Sequence, residues 1–320
     1  MNIFMTGGTG FVGKTLTQKL ADQGHDVTVL TRKINWNQIK VKGVSFIEGD
    51  PTKEGEWQKQ AVDHEAFINL AGASIFRRWN QKSKALMRES RVLTTKNLVE
   101  TLKDREGRET TLISTSAVGY YGFHGDEVLD ENSAPGEDYL ASLSRDWEAA
   151  ALQAEQYGAR VVICRLGIVL GAQGGALGEM IPLFKKGLGS PIGSGEQWFS
   201  WIYEQDLVEI YLFLLGHKDL SGPVNCTAPE PVKNKAFTKS LGKALGRSTL
   251  MPSVPGFVIK LVKGEFGTVL LKGQKVIPKK LSDAGFPFRF PQLSDALRDL
   301  FRVRAMSSER IQESNPKGVR

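Results

Sequence analysis

The sequence predicts an α/β fold, a doubly wound parallel sheet completed by a smaller C-terminal, substrate-side lobe. Three observations carry that expectation. From the N-terminus to Leu166, apolar runs of strand length alternate with longer segments of helical periodicity. The first run, Met1 to Met5, breaks at once into Thr6-Gly7-Gly8-Thr9-Gly10-Phe11-Val12-Gly13. Past Gly167 the alternation stops, and eight glycines and two prolines fall between Gly171 and Gly195, too many for a regular sheet to continue.

Met1 to Met5 has the unbroken apolar character of a strand buried on both faces. Phe11 to Gln23 has helical spacing, with Phe11, Leu16 and Leu20 on one side, and Gly24 supplies the stop. Asp26 to Leu30 is a second strand. Strand, Gly-rich turn, helix and strand in this order form the βαβ context of a Rossmann-type dinucleotide site. Gly7 permits the tight turn, Gly10 lets backbone N–H groups approach a pyrophosphate, and Gly13 lets helix and strand pack closely. The helix N-terminus then faces the anion. Thr6, Gly7, Gly10, Phe11, Val12 and Gly13 are the first cofactor-binding candidates.

An acidic residue ending the second strand would accept hydrogen bonds from the ribose hydroxyls of NAD and repel a 2′-phosphate. Here the strand runs into Thr31-Arg32-Lys33. Arg32 can pair with a phosphate and lie along the adenine, so NADP(H) is expected in preference to NAD(H), with Thr31 and Arg32 at that end.

Val44 to Asp50 reads as the third strand, with Asp50 at its end as a further cofactor candidate, and a short helix follows over Glu54 to Gln60. Phe67 to Ala73 is a fourth strand running into small residues. Leu70, Ala71 and Gly72 would leave room for a ligand in the crevice where open α/β sheets bind. Lys82 to Lys103 and Tyr139 to Tyr157 are helical, and Thr111 to Ser114 and Arg160 to Leu166 are the fifth and sixth strands. Loops and a short helix over the cleft are expected at 170–200. An apolar helix capped by Asp206 then runs through Leu215, and helical runs follow at Ala236–Leu245, Phe257–Val262 and Asp295–Leu300. The expected organisation is an NADP(H)-binding domain over 1–223, a small lobe over 224–303 and a polar, flexible tail over 304–320.

Of the net charge of +7, most falls between Lys272 and Arg320, where eleven Lys and Arg face five Asp and Glu. No aromatic-interleaved basic helix accompanies this excess, so no nucleic-acid partner is expected. The four histidines are scattered, so no metal site is expected. Cys164 and Cys226 sit in strand contexts and read as buried thiols. No apolar run is long enough to span a bilayer and the N-terminus is already a core strand; no membrane partner and a cytoplasmic location are expected.

Thr6 to Gly13, Asn69-Leu70-Ala71-Gly72 and Ser114-Thr115-Ser116 followed by Tyr121-Gly122 together resemble the extended short-chain dehydrogenase/reductases. Ser116 to Gly122, Pro191 to Gly195, Trp201-Ile202 with Asp206, and Gly273 to Leu281 are similar to an atypical epimerase-like subgroup with a small C-terminal domain. Its members are described as nucleotide-sugar-type epimerases without an assigned substrate. The resemblance spans residues 1 to 303 and implies hydride transfer to or from a small hydroxy or keto compound of sugar-like type. It also leaves room for a homodimer.

In that family a Tyr exchanges the proton, a Lys four residues on lowers its pKa, a Ser polarises the substrate oxygen and an Asn orders the relay. Ser116 matches the Ser counted along the strand, whereas counting back from Gly122 gives Ala117. Tyr139 matches the Tyr. Leu143 stands in place of the Lys, and Arg91 falls where the Asn is expected. A free phenol has a pKa near 10 and is scarcely ionised at neutral pH, so Arg91 is a candidate to replace the missing cation. Ser116, Tyr139 and Arg91 are thus the catalytic candidates. Each also has a plainer reading: a turn hydroxyl, an aromatic packed under a helix start, and a surface salt bridge. The alternative function is a catalytically silent NADP(H)-binding redox sensor or regulatory protein.

Overall fold

The N-terminal apolar run becomes the middle of a seven-stranded sheet. The computed structural model describes residues 1–34, 41–171 and 174–302. Five strands come first: β1 (Asn2–Thr6), β2 (Asp26–Thr31), β3 (Val44–Glu48), β4 (Ala66–Asn69) and β5 (Thr111–Ala117). After the short β6 (Val128–Leu129), β7 (Arg160–Leu166) returns to the sheet. Beyond it lie β8 (Ile168–Gly171), β9 (Trp198–Phe199), β10 (Trp201–Tyr203) and β11 (Gly222–Cys226). The sheet order is β11-β7-β5-β4-β1-β2-β3, and every pairing in it is parallel. The expected doubly wound architecture is therefore present. The boundary expected at 223/224 falls inside β11, because Val224 pairs with Cys164 at the sheet edge.

The sheet is covered on both faces, as a parallel sheet must be. On one face α1 (Phe11–Asp22) and a later helix, Glu204–Gly216, bury Leu16, Leu20, Leu207 and Ile210 against Ile3, Met5 and Val29. On the other lie α2 (Trp57–Ala61), α3 (Gln81–Glu100) and α4 (Tyr139–Leu152), whose Trp57, Leu98, Val99 and Ala151 meet Phe4 and Phe67. Each fully buried large aliphatic contributes about 1.5–3 kcal/mol. The long α3 and α4 stop earlier than their periodicity suggests, because their last turns tighten into 3-10 geometry over Thr101–Arg105 and Gln153–Tyr157.

The second lobe is assembled from two stretches of chain. The Gly-rich stretch and its flanks supply β8, α5 (Gly175–Lys185) and β10, where β8 and β10 pair in parallel. The helix Glu204–Gly216 is α6. Past β11 come β12 (Val232–Lys233), α7 (Asn234–Ala244), α8 (Gly256–Lys263), α9 (Glu265–Leu270), β13 (Lys275–Val276) and α10 (Lys279–Asp283), then a helix over 293–302. Leu177, Phe184 and Trp201 from the first stretch share a core with Phe237, Leu297 and Leu300 from the second. The tail expected over 304–320 lies outside the described residues.

Asp206 has a different role from the cap expected of it. It is the third residue of α6, and its carboxylate accepts hydrogen bonds from the backbone N–H groups of Arg289 (3.1 Å) and Phe290 (2.9 Å). It ties the last part of the lobe to the sheet-covering helix. Asp206→Ala leaves those two donors unpaired, one of them buried, and is expected to lower stability by about 3 kcal/mol in chemical denaturation. A loss below about 0.5 kcal/mol, the range of an ordinary surface change, would remove the tie from the account.

Candidate functional site

The strand order reverses at β1, which has β2 on one side and β4 on the other, so a crevice opens beyond the C-terminal ends of β1 and β4. The turns after these strands meet backbone to backbone. Gly7 has φ +73°, and a Cβ there would lie 2.7 Å from the carbonyl carbon of Leu70 and 2.8 Å from the nitrogen of Ala71. Gly13 sits in the first turn of α1, where a Cβ would lie 2.1 Å from the Gly7 oxygen. The Gly10 N–H donates to that oxygen at 2.9 Å and closes the turn. This cradle would be filled by side chains at Gly7 or Gly13, and the first N–H groups of α1 open onto it. Its backbone donors and helix terminus fit a dinucleotide pyrophosphate.

A buried polar chain holds the two turns together. Thr6 Oγ1 donates to Asn69 Oδ1 (2.7 Å), and Asn69 Nδ2 donates to Thr95 Oγ1 (2.8 Å) and Ser114 Oγ (3.3 Å). Thr95 Oγ1 donates to the Arg91 carbonyl (2.7 Å) and accepts from Trp147 Nε1 (2.9 Å). The Thr6 side chain is thus spent on the sheet, and Thr6 can serve a cofactor only through its backbone. Sequence reasoning did not single out Asn69, Thr95 or Trp147 as parts of one unit. The signal that could have found the first is an amide inside the apolar run Phe67-Ile68-Asn69-Leu70.

Phe11 projects from the start of α1 into a sleeve of glycines. Side chains at Gly171, Gly174 and Gly175 would come within 2.5, 2.9 and 2.9 Å of its ring. Beside it, Thr15 Oγ1 donates to Glu204 Oε1 at 2.6 Å. Val12 is half-buried against the core below. At the other end of the crevice, the Thr31 hydroxyl donates to the Lys33 carbonyl (3.2 Å), and Arg32 is exposed. The Asp50 carboxylate accepts from the N–H and hydroxyl of Thr52 (3.0 and 2.7 Å). Burial works against its charge, but these bonds and the nearby Lys53 and Arg32 hold its pKa below the ordinary range.

The catalytic candidates separate. Ser116 is 1 % exposed, and its hydroxyl donates to Glu148 Oε1 at 2.6 Å. Glu148 is locked in a buried pair with Arg165, whose Nε and Nη2 donate to its two oxygens at 2.9 and 2.8 Å. Arg165 Nη1 goes on to Tyr121 Oη, which donates to Asn225 Oδ1. A sealed hydroxyl on a buried carboxylate cannot polarise a substrate oxygen in this arrangement, and Ala117, the other candidate position, has no hydroxyl. The physical reason is strand alternation: Ser116 lies on the same face as Ser114, toward α4.

Tyr139 and Arg91 do come together. Asp138 caps α4 by accepting from the N–H groups of Leu140 (2.8 Å) and Ala141 (3.1 Å), which places Tyr139 at the first helical position. The phenol is half-buried, donates to the Lys84 carbonyl at 2.8 Å and has the Trp79 ring edge-on. Burial raises its pKa, and the neighbouring Arg91 and Arg88 cations offset this only in part. Leu143, in place of a Lys, packs with Trp79, Met87 and Phe266. Arg91 is not a surface ion pair: its Nη1 donates to the carbonyls of Ala73 (3.0 Å) and Met87 (3.1 Å). A Cβ on Gly72 would lie 3.1 Å from its Cζ, so the guanidinium rests directly on the turn after β4. Burial lowers its pKa to about 10, opposed by Tyr139, and it remains a cation at neutral pH.

Residues 3–226, the sheet and its crevice, match the NAD dependent epimerase/dehydratase family. The chain belongs to that family. Residues 254–300 match a domain of unknown function, DUF1731. Among family relatives, the epimerase family protein SDR39U1 homolog, chloroplastic, of Arabidopsis thaliana is 40 % identical over 304 residues, covering 94 % of this chain and 87 % of that protein. The epimerase family protein YfhF of Bacillus subtilis is 38 % identical, covering 95 % and 99 %. The crystal structure of human epimerase family protein SDR39U1 with NADPH superposes with a TM-score of 0.81 at 33 % identity, covering 94 % and 99 %. A UDP-glucose 4-epimerase from Thermotoga maritima, at 18 % identity and a TM-score of 0.78, shares the epimerase fold. No helix among the described residues is long and apolar enough to cross a membrane.

Gly13→Ala forces a methyl into the Gly7 carbonyl and is expected to abolish binding of a nicotinamide dinucleotide in a fluorescence titration. Retained affinity would show that the cradle is not where the family's dinucleotide is held.

Proposed function

We propose that this family member binds NADP(H) and uses it in hydride transfer to or from a small hydroxy or keto compound. The observation that carries the reading is the Arg91 guanidinium seated on Gly72, beside the Tyr139 phenol and at the mouth of the dinucleotide crevice. The human relative solved with NADPH supports the choice of nucleotide, as does Arg32, with no carboxylate, at the end of β2. Gly7, Gly10, Phe11, Val12 and Gly13 would hold the pyrophosphate, Thr31, Arg32 and Asp50 the adenosine end, and Leu70, Ala71 and Gly72 the wall between. Bound there, NADP(H) supplies or accepts the hydride.

The chain's own contribution is a proton and a fixed charge. Tyr139 stays protonated at neutral pH because its pKa lies above the usual phenol range. It therefore suits donation to an oxygen gaining negative charge better than abstraction from a hydroxyl. Arg91 stabilises that developing charge without needing a Lys in α4. Trp79, Leu143 and Phe266 exclude water around the phenol. For Tyr139 to act, its hydroxyl must leave the Lys84 carbonyl.

A second reading has its own support. The Tyr139 hydroxyl is engaged with Lys84, the Ser116 hydroxyl with Glu148, and the Lys position is an apolar packing residue. These three features together suit a protein that binds NADP(H) without turnover and reports its redox state.

Arg32→Asp is expected to weaken NADPH far more than NADH, by at least about tenfold; equal losses would remove the 2′-phosphate assignment. Tyr139→Phe should abolish conversion in a metabolite extract, followed by mass spectrometry with isomer separation, while sparing NADPH affinity. Conversion that persists at the unmodified rate would take the phenol out of the reaction.

A further inference from the structure

Arg91 is anchored by one nitrogen and presents an unused edge. Its Nη1 serves both carbonyls, of Ala73 and Met87, and among the described residues neither Nε nor Nη2 has a hydrogen-bond partner. Among the described residues the unpartnered polar side-chain atoms fully sealed from solvent are Thr94 Oγ1, Gln197 Oε1 and Thr227 Oγ1, so the half-buried Arg91 edge, with Gly72 lying against it, is not among them. The pose is fixed by Gly72 against the guanidinium and by the Trp147 ring, whose centroid is 5.2 Å from Cζ. Arg91 closes a strongly basic segment: from Arg77 to Arg91 there are six cations and one carboxylate, Glu89. Lys84 is paired with Glu265 and Arg88 with Asp146. Arg91 has no carboxylate partner among the described residues.

We propose that the Nε–Nη2 edge of Arg91 is a subsite for a substrate carboxylate, held beside the carbon whose oxygen Tyr139 serves. The inference rests on the reading above and narrows the substrate to a hydroxy or keto acid. Two parallel N–H groups on one planar edge match the two oxygens of a carboxylate. One planar edge carrying a single charge suits a monoanionic carboxylate better than a phosphate dianion, and Lys84 and Arg88 of the same segment are paired with Glu265 and Asp146. The basic segment around the edge would draw the anion toward the cleft.

The test uses the full-length protein loaded with NADP+ and two probes, oxamate (a small planar carboxylate) and inorganic phosphate, titrated calorimetrically against the unmodified protein, Arg91→Lys and Arg91→Met. Oxamate should bind the unmodified protein, at least about tenfold more weakly to Arg91→Met and at an intermediate level to Arg91→Lys, which keeps the charge but not the fork. NADPH affinity should be retained in both variants, while Arg91→Met, which leaves the Ala73 carbonyl without its donor, should melt at a lower temperature than the unmodified protein. Equal oxamate affinity in all three proteins, or none in any, overturns the subsite. Phosphate binding that disappears with Arg91 while oxamate does not bind overturns the choice of carboxylate. Loss of NADPH affinity in Arg91→Met shows that the edge serves the cofactor and also overturns the inference. None of these outcomes alters the response of NADPH binding to Arg32→Asp, on which the nucleotide assignment stands separately.

Discussion

The cleft depends on a contact between two stretches of backbone. The turn after β1 and the turn after β4 approach so closely at Gly7 and Leu70 that no side chain fits between them. The approach brings polar backbone into the interior, where unpaired groups are costly. Beside that contact, Asn69 bridges β1, β5 and α3 through the side chains of Thr6, Ser114 and Thr95. Through Thr95 the same chain of hydrogen bonds reaches the carbonyl of Arg91 and the indole of Trp147. The placement of the cleft cation is thus continuous with the geometry of the dinucleotide turn.

A second polar unit, the Glu148–Arg165 pair, ties β5, β7 and α4 to the smaller lobe. Burial alone would lower the Arg165 pKa, yet the bidentate bond to Glu148 raises it. Breaking such a pair by removing one partner leaves an uncompensated buried charge, which costs several kcal/mol. Tyr121 and Asn225 extend the pair to β11, and Asn225 Nδ2 donates to the Ile277 carbonyl. The strand end that could have supplied a substrate-facing hydroxyl is occupied with joining the two parts of the molecule.

How much of this was legible in the sequence varied with the kind of interaction. The βαβ start was legible because glycine positions and strand periodicity are local, and Gly7, Gly10 and Gly13 occupy the turn their spacing implied. The sheet was legible as far as β7. The strand β11 was read as strand-like, but the expected boundary at 223/224 cuts through it, because its partner Cys164 lies some sixty residues back and pairing is not local. Asp206 looked like a cap from its place before an apolar run, whereas its partners are backbone groups at 289 and 290. Ser116 could be matched by position, but its direction depends on which sheet face carries α4, and that is a tertiary fact. Arg91 was the opposite case: a doubtful residue by spacing alone, it rests on Gly72 because α3 runs alongside the turn after β4.

The divided origin of the smaller lobe bears on how the chain is made. Its core joins Leu177 and Trp201 to Leu297 and Leu300, so more than ninety residues separate the partners. During synthesis the sheet and its helices emerge first and can close around β1. The surfaces of α5 and β10 are then covered in part by α7 and completely only when the helix over 293–302 arrives. Domains fold N-terminus first as the chain lengthens, and here the last helix completes a core begun by the Gly-rich stretch. A ribosome stalled before residue 293 would therefore display a finished nucleotide fold carrying an open apolar face, a natural target for chaperones.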